Sequence, residues 1–240
     1  MGRVGKVVCW GAGLVLLAFL IQFPIQKTEN TWKTWSLPLA GKTIVIDPGH
    51  GGPDGGAEGK DNTQEKDITL NVAKKVRNYL QQSGALVYLT REEDIDLADK
   101  GTSGLSRRKS EDIRKRVAFI QEKHADFFVS IHLNAIPSSR WHGAQTFYYP
   151  KFEESKHLAK MIQSEVIRNL ENTNRTPLAL NTVYLLKHAG VPGALVELGF
   201  LSNEQEREQL KQDDYQLKMA GSIYEGILRY ATEDMEEGED

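Results

Sequence analysis

The sequence contains almost no cysteine. The single thiol, Cys9, lies inside an N-terminal apolar run, so the remainder of the 240-residue chain has none. Without a second cysteine, neither an intramolecular disulfide nor a metal site built from thiolates is possible. This absence excludes a disulfide-stapled scaffold and a cysteine-based zinc module.

The sequence also lacks a strong charge of either sign, with 30 basic and 33 acidic residues. Six of the acids lie in Glu233–Asp240, which leaves 27 acidic residues against the 30 basic ones. Such a small excess does not favour nucleic acid as a partner. We find no internal repeat and no second module, and we predict that residues 232–240 form an acidic disordered tail.

Long apolar runs are absent except at the N-terminus. Arg3 and Lys6 precede the run Val7–Ile21, and a basic flank followed by an apolar core is typical of an export signal. No small-residue cleavage site follows, so we predict that residues 1–25 are a signal peptide cleaved late or a membrane anchor. A buried core helix is the alternative, which the N-terminal position disfavours. Residues 26–41 are predicted to be a linker.

Residues 42–231 alternate between strand-like and helix-like segments. This order predicts one α/β domain, with a mostly parallel or mixed twisted sheet and helices on both faces. The predicted strands are 44–46, 85–90, 127–131, 143–149, 183–186 and 194–198, and the predicted helices are 65 to a stop at Gly84, 107–122, 153–169 and 213–230.

The most informative stretch is 44–52. Ile44–Ile46 reads as a buried strand, Asp47–Gly49 as a turn that ends it, and His50 follows at once. In an open α/β sheet, ligands bind beyond the carboxyl ends of the strands. The pattern therefore places His50 where a site would lie, although an ordinary glycine loop with a solvated histidine is the alternative.

Three more polar residues stand where apolar ones are expected. His132 ends an apolar strand, Glu197 lies within the apolar run 193–200, and Glu65 opens a helix. An ionised carboxylate in an apolar run costs several kcal/mol unless a cation, a metal or hydrogen-bond donors satisfy it. Structural explanations exist for each: a core histidine, a helix-start acid favoured by the dipole, and an ion pair of Glu197 with Arg116 or Lys187.

Two histidines and a carboxylate are a common ligand set for catalytic zinc, with one position left for water. A further carboxylate is then wanted to shuttle the proton. His50, Glu65, His132 and Glu197 would supply this set. Their spacing is no local motif, but all four fall at strand or helix ends, which favours a shared site.

Four segments in order carry a family resemblance: Ile46–Gly52, Glu65–Asp67, Ser130–Ala135 and Val196–Asn203. The chain resembles the zinc-dependent N-acetylmuramoyl-L-alanine amidases of the Amidase_3 type over residues 42–230. The resemblance implies that zinc binds His50, Glu65 and His132, and that Glu197 is the catalytic carboxylate. It also implies hydrolysis of the peptidoglycan amide between the lactyl group of N-acetylmuramic acid and L-alanine.

Further segments, among them 106–109, 134–138 and 143–145, are similar to a subgroup that acts on spore cortex. The subgroup resemblance implies removal of stem peptides so that a partner peptidoglycan deacetylase can complete muramic δ-lactam, which lytic enzymes recognise in germination. It implies an exported enzyme outside the cytoplasmic membrane, held by its N-terminal segment in the intermembrane or cortex space of the developing spore.

Two other functions remain open: an inactive metal-binding protein that recruits a hydrolase to the wall, and a zinc carboxypeptidase or endopeptidase. The long polar loop 91–106 is a candidate lid. Arg107 and Arg108, which follow it, are candidates to meet the acidic stem peptide, with a solvated helix start as the simpler interpretation.

Overall fold

A computed structural model describes residues 2–5, 8, 10–20 and 37–233. The chain divides into two units, Met1–Leu37 and Pro38–Asp240. In the first unit, helix α1 spans Arg3–Leu20 and is long and apolar enough to cross a membrane, a test that a signal sequence also passes. Cys9, the predicted linker over 26–36 and the predicted tail over 234–240 lie outside the described residues.

The second unit is built on a six-stranded sheet. Its strands are β1 (Thr43–Pro48), β2 (Leu86–Leu89), β3 (Phe127–Asn134), β4 (Gln145–Tyr148), β5 (Leu178–Ala179) and β6 (Gly193–Phe200). Their order across the sheet is β2-β1-β3-β6-β4-β5. All neighbours are parallel except β4 and β6, which are antiparallel. This arrangement confirms the predicted mixed sheet.

Helices cover both faces of this sheet, as predicted. They are α2 (Glu65–Gln82), α3 (Leu105–Glu122), α4 (Glu153–Leu170), α5 (Tyr184–His188), α6 (Glu204–Leu210) and α7 (Asp213–Thr232). Apolar residues of α2, α4 and α7 share one buried cluster with the sheet, here called the large cluster. Residues of α3 and α5 form a smaller one against the opposite face, here called the small cluster.

Helix α2 shows why the local sequence folds as it does. Ile68, Val72, Val76 and Leu80 recur at helical spacing and are all buried in the large cluster. The helix ends where Gly84 adopts φ 94°, a backbone conformation that glycine allows at no steric cost. The amide of Ala85 then donates to the Leu80 carbonyl, which closes the last turn.

Three elements differ from the sequence prediction. Strand β5 (Leu178–Ala179) lies in a segment predicted to be a polar loop. Residues 183–186, predicted as a strand, begin helix α5 instead. Leu185, Leu186 and Ala189 are buried together in the small cluster, a pattern one turn of helix provides. A short apolar run does not distinguish these two structures by periodicity alone. Helix α6 was not predicted; its start is capped by the Asn203 side chain, which accepts a hydrogen bond from the Glu206 amide at 3.0 Å.

The central strands of the sheet end side by side, along the edge that runs across the strand direction. The parallel strands β1, β3 and β6 all finish there, and antiparallel β4 begins there, with Gln145 opposite Glu197. We call this edge the rim. Parallel α/β sheets bind ligands at such an edge, and the residues singled out from the sequence lie along it.

Candidate metal centre

His50 reaches the rim through an unusual backbone. It follows β1 and Gly49, and its own φ is 61°, in the left-handed region that residues other than glycine rarely adopt. Its carbonyl accepts a hydrogen bond from Arg116 Nη2 at 2.6 Å, which helps to hold this conformation. Gly49 is required, because a Cβ there would lie 2.4 Å from the His132 ring.

His132 and Glu197 are neighbours across two hydrogen-bonded strands. In the parallel pair β3 and β6, His132 is in register with Glu197, and the register shifts beyond His132. Alternation along β3 places Phe128, Ser130 and His132 on the face that carries the small cluster. Irregular pairing next to a site is a common way to direct a side chain.

Glu65, at the first turn of α2, joins the two histidines. Its Oε1 lies 2.9 Å from His132 Nδ1, and its Oε2 lies 3.2 Å from His50 Nε2. The carboxylate also accepts hydrogen bonds from the amides of Leu133 at 2.8 Å and Ala57 at 2.7 Å. It is almost fully buried, so these contacts fix its position.

These three side chains fit a metal ion by donor chemistry and by spacing. One ligand atom from each lies within 4.8 Å of the other two. A His, Glu, His set is among those that bind catalytic zinc. The structure therefore brings together the residues that the sequence singled out, in an arrangement able to hold a divalent ion.

The charges of this cluster are strongly coupled. Burial lowers the pKa of His50, but its contacts with Asp54 and Glu65 outweigh burial and raise the pKa to about 9. Burial raises the pKa of Glu65, yet the two histidines hold it well below its usual range. A metal ion must displace the proton on His50, so its binding is linked to proton release.

Glu197 stands beside this cluster with an unsatisfied oxygen. Within the described residues, its buried Oε2 has no hydrogen-bond partner. Burial raises the pKa of Glu197 to about 7. The neighbouring Glu65 also raises this pKa, whereas His132 lowers it. Its proposed ion pair with Arg116 is wrong, because Arg116 pairs with Asp47 and Asp112 instead. Across residues 37–233, Lys187 makes no ion pair with Glu197 either.

The chain is similar in sequence to proteins of one known family. The model of the Amidase_3 family, described as N-acetylmuramoyl-L-alanine amidase, matches residues 44–229. The chain belongs to this family. The amidase is 55% identical over 221 residues to the germination-specific N-acetylmuramoyl-L-alanine amidase of Bacillus subtilis (strain 168), covering 92% of each chain.

Solved structures support the same assignment. The CwlD amidase from Clostridioides difficile, determined in complex with the GerS lipoprotein, matches with a TM-score of 0.78 and 43% identity, over 80% of this chain and all of that one. An N-acetylmuramoyl-L-alanine amidase from Clostridium difficile 630 matches with a TM-score of 0.71 and 31% identity, over 81% and 98% of the two chains. The predicted family and fold are confirmed.

Sequence reasoning missed how the amidase holds His50. Asp54 Oδ2 lies 2.9 Å from His50 Nδ1, on the side of the ring away from Glu65. The other Asp54 oxygen accepts from the Gly56 amide at 3.1 Å and pairs with Lys109 Nζ at 2.8 Å. A carboxylate on the second ring nitrogen fixes the orientation of a metal-binding histidine. The only signal was an acid four residues after His50 in a glycine-rich loop.

Below the rim, the amidase buries an ionic network centred on Asp47. Its carboxylate accepts from Arg116 at 2.7 Å and from Thr90 and Ser130, both at 2.6 Å. Burial raises the pKa of Asp47, but Arg116 and the two hydroxyls outweigh it and lower the pKa to about 2. Arg91 adds hydrogen bonds to the carbonyls of Pro48 and Gly49. These contacts hold the turn that leads to His50.

The loop over 91–106 is anchored rather than free. Arg108 pairs with Asp96 through two hydrogen bonds and donates to the carbonyl of Thr102, while Arg107 donates to the Ser103 hydroxyl. The Leu97 amide donates to Asp112 on α3. Arg108 therefore holds the loop in place. Because its guanidinium is engaged in these contacts, Arg108 is poorly available to a stem peptide.

Proposed function

We propose that this amidase uses zinc to hydrolyse the amide between the lactyl group of N-acetylmuramic acid and L-alanine in peptidoglycan. One observation carries the proposal: a His50, Glu65, His132 donor set lies beside Glu197, whose buried Oε2 has no partner among the described residues. The family match and the names of its relatives support the same bond as the target.

In this proposal His50, Glu65 and His132 hold the zinc ion. When bound, zinc supplies a Lewis acid that polarises the scissile carbonyl and lowers the pKa of water to roughly 7. Glu65 neutralises one positive charge at the site, and the amides of Leu133 and Ala57 keep its carboxylate in place. Asp54 keeps the His50 ring turned so that Nε2 faces Glu65.

Glu197 is proposed as the proton carrier. Its free Oε2 accepts the proton of the attacking water and returns it to the alanine nitrogen as the amide C–N bond breaks. A general acid–base catalyst works best with a pKa near the operating pH, and burial brings the pKa of Glu197 to about 7. The strand pairing with β3 keeps this carboxyl beside His132 throughout.

A biological role in germination is part of the same proposal. We propose that the enzyme removes stem peptides from spore cortex, so that a peptidoglycan deacetylase can complete muramic δ-lactam before germination. The name of the B. subtilis relative supports action in germination, and the subgroup resemblance suggests the cortex, the deacetylase and the δ-lactam. It also needs export, for which α1 offers a signal or an anchor. The proposed parts of the chain are a signal or anchor over residues 1–25, a linker over 26–41, a catalytic domain over 42–231 and a tail over 232–240.

Mass spectrometry of the fragments released from peptidoglycan tests the proposal. We expect intact stem peptides with a free L-alanine amino group, and none from metal-free protein until zinc is restored. Fragments cut within the peptide would instead show a carboxypeptidase or endopeptidase. Binding to the wall without any release would show an inactive recruiting protein. Loss of bound zinc in His50→Ala and His132→Ala variants would test the proposed ligands.

A further inference from the structure

Two of the proposed metal ligands lie on separate stretches of backbone. His50 belongs to the loop that follows β1, and Glu65 begins α2. The later part of the loop is tied to α2 by backbone hydrogen bonds, in which the amides of Glu65 and Lys66 donate to the carbonyls of Ala57 and Gly55. The earlier part, next to His50, is held by a different segment.

That segment is the loop after β2, which crosses directly over the residues that follow His50. A Cβ on Gly51 would collide with the carbonyl oxygen of Ile95, and a Cβ on Gly52 would lie 3.0 Å from the amide nitrogen of Asp96. Both glycines also have positive φ values, 135° and 57°. Glycine at these two positions therefore allows the loops to touch.

Asp94, in the crossing loop, connects the two stretches of backbone. Its Oδ1 accepts a hydrogen bond from the Gly52 amide at 2.8 Å, and its Oδ2 pairs with Lys66 Nζ at 2.7 Å. Lys66 Nζ also donates to the Gly52 carbonyl at 2.8 Å. We call these three residues the clasp. Gly52 closely follows His50 and Lys66 directly follows Glu65, so the clasp joins the backbones that carry both ligands.

A buried arginine makes the same connection on the other side of His50. Arg91 Nη2 donates to the carbonyl of Gly49 at 2.9 Å and to that of Lys66 at 2.8 Å. Arg91 is almost fully buried, whereas the Asp94 side chain is 49% exposed. The Asp94 carboxylate can therefore be removed without leaving a void in the core, which makes the clasp the part of this connection that mutation can test.

We propose that Lys66 and Asp94 are positioning residues for the metal centre. They hold the His50 loop against the start of α2, so that His50 and Glu65 lie at ligand spacing before an ion binds. Apparent affinity falls in proportion to the fraction of molecules that are in the binding-competent arrangement, and the clasp raises that fraction. The inference rests on the proposed function, because it assumes that zinc binds His50, Glu65 and His132.

Zinc affinity of the full-length protein tests the clasp, measured by competition with a chelator at a temperature where the metal-free variants are folded. Asp94→Ala should weaken zinc binding roughly threefold to fivefold, the upper range for a partly exposed ion pair. Lys66→Met should weaken it at least as much, because the bond to the Gly52 carbonyl is lost too. The double variant should bind no more weakly than Lys66→Met, since both changes break one clasp. Glu92→Ala is the matched control, because this acid of the same loop pairs with Arg77 at 3.1 Å instead.

Two further measurements distinguish positioning from a general contribution to stability. A purely structural role would lower the melting temperature of metal-free Asp94→Ala and leave its zinc affinity unchanged, which would overturn the proposal. The visible absorption of the cobalt(II)-loaded variant should match that of the wild type, because the donor atoms are the same once the ion is bound. A changed spectrum would mean that Asp94 alters the ligand set, contrary to the proposal.

The outcomes also separate the clasp from the proposed function. If the wild type binds no zinc, the ligand set is wrong and both proposals fail. If the wild type binds zinc and the Asp94→Ala and Lys66→Met variants bind it equally well, only the clasp is wrong. Losses that add in the double variant would show two independent effects and would overturn the single clasp.

Discussion

The two faces of the sheet are built from different chemistry. The face covered by α2, α4 and α7 buries a continuous apolar cluster of 29 residues. The face covered by α3 and α5 has nine such residues, and next to them lie the buried Asp47, Arg116 and Ser130. His132 and Glu197 project from this second face. The apolar face supplies most of the hydrophobic stabilisation, and the polar face holds the site.

This division explains why so many charges are tolerated under the rim. Removing one partner of a buried ion pair costs about 3–5 kcal/mol, although the pair itself adds little stability. Here Arg116 also donates to the carbonyls of Pro48 and His50. The network is therefore best understood as a support for the β1 turn. Mutations on the apolar face should therefore change stability, and mutations on the polar face should change the chemistry.

The largest effect is expected from Glu197→Gln. Losing the proposed proton carrier should lower kcat about 10²- to 10⁴-fold. Zinc content should stay unchanged. The melting temperature should not fall, because the substitution removes a buried carboxylate that has no partner. Peptide release, metal analysis and thermal unfolding measure the three quantities. Activity within tenfold of wild type would remove Glu197 from the mechanism.

Ile223→Ala tests the apolar face. Ile223 is fully buried in the large cluster, so its truncation should lower the free energy of unfolding by about 2–5 kcal/mol. At a temperature where both proteins are folded, kcat and zinc affinity should match wild type. Leu217→Ala on the same helix is the control, since Leu217 is 38% exposed. A large loss of kcat in folded Ile223→Ala would show that the faces are not separable.

Asp54→Ala tests the polar face. Without the carboxylate on Nδ1, the His50 ring loses its fixed orientation, and zinc affinity should fall about 10- to 100-fold. Competition with a chelator of known affinity measures this. Asp213→Ala is the control, because Asp213 pairs with Lys75 at 2.7 Å, between α2 and α7. Equal zinc affinity in both variants would contradict the role of Asp54.

The smallest effect concerns acid stability. The pKa of Asp47 is lowered to about 2 from an ordinary value of 3.8. A depressed carboxyl pKa stabilises the fold above pH 4, and this contribution is lost as the pH falls towards 2. The loss should be about 2 kcal/mol. Urea unfolding of wild type and Asp47→Asn at several pH values measures it: the difference between the two proteins should shrink with acid. A constant difference would mean that Asp47 does not titrate in this range.

The sequence predicted the parts of the site with local signals and missed those that depend on distant contacts. A histidine after a strand and an acid within an apolar run are visible without coordinates, as His50 and Glu197 show. The partners of Asp47 are not, because Thr90, Arg116 and Ser130 lie 43, 69 and 83 residues away. Helix α6 has only seven residues, too few for a clear periodic pattern. The roles of the four site residues stay predictions.

The register between β3 and β6 has a consequence for how this family can vary. His132 and Glu197 are neighbours because their strands pair directly, so their separation follows the backbone spacing of about 4.8 Å between strands. No side chain sets that distance. Loops around the rim can therefore exchange residues while the backbones of His132 and Glu197 keep the same spacing.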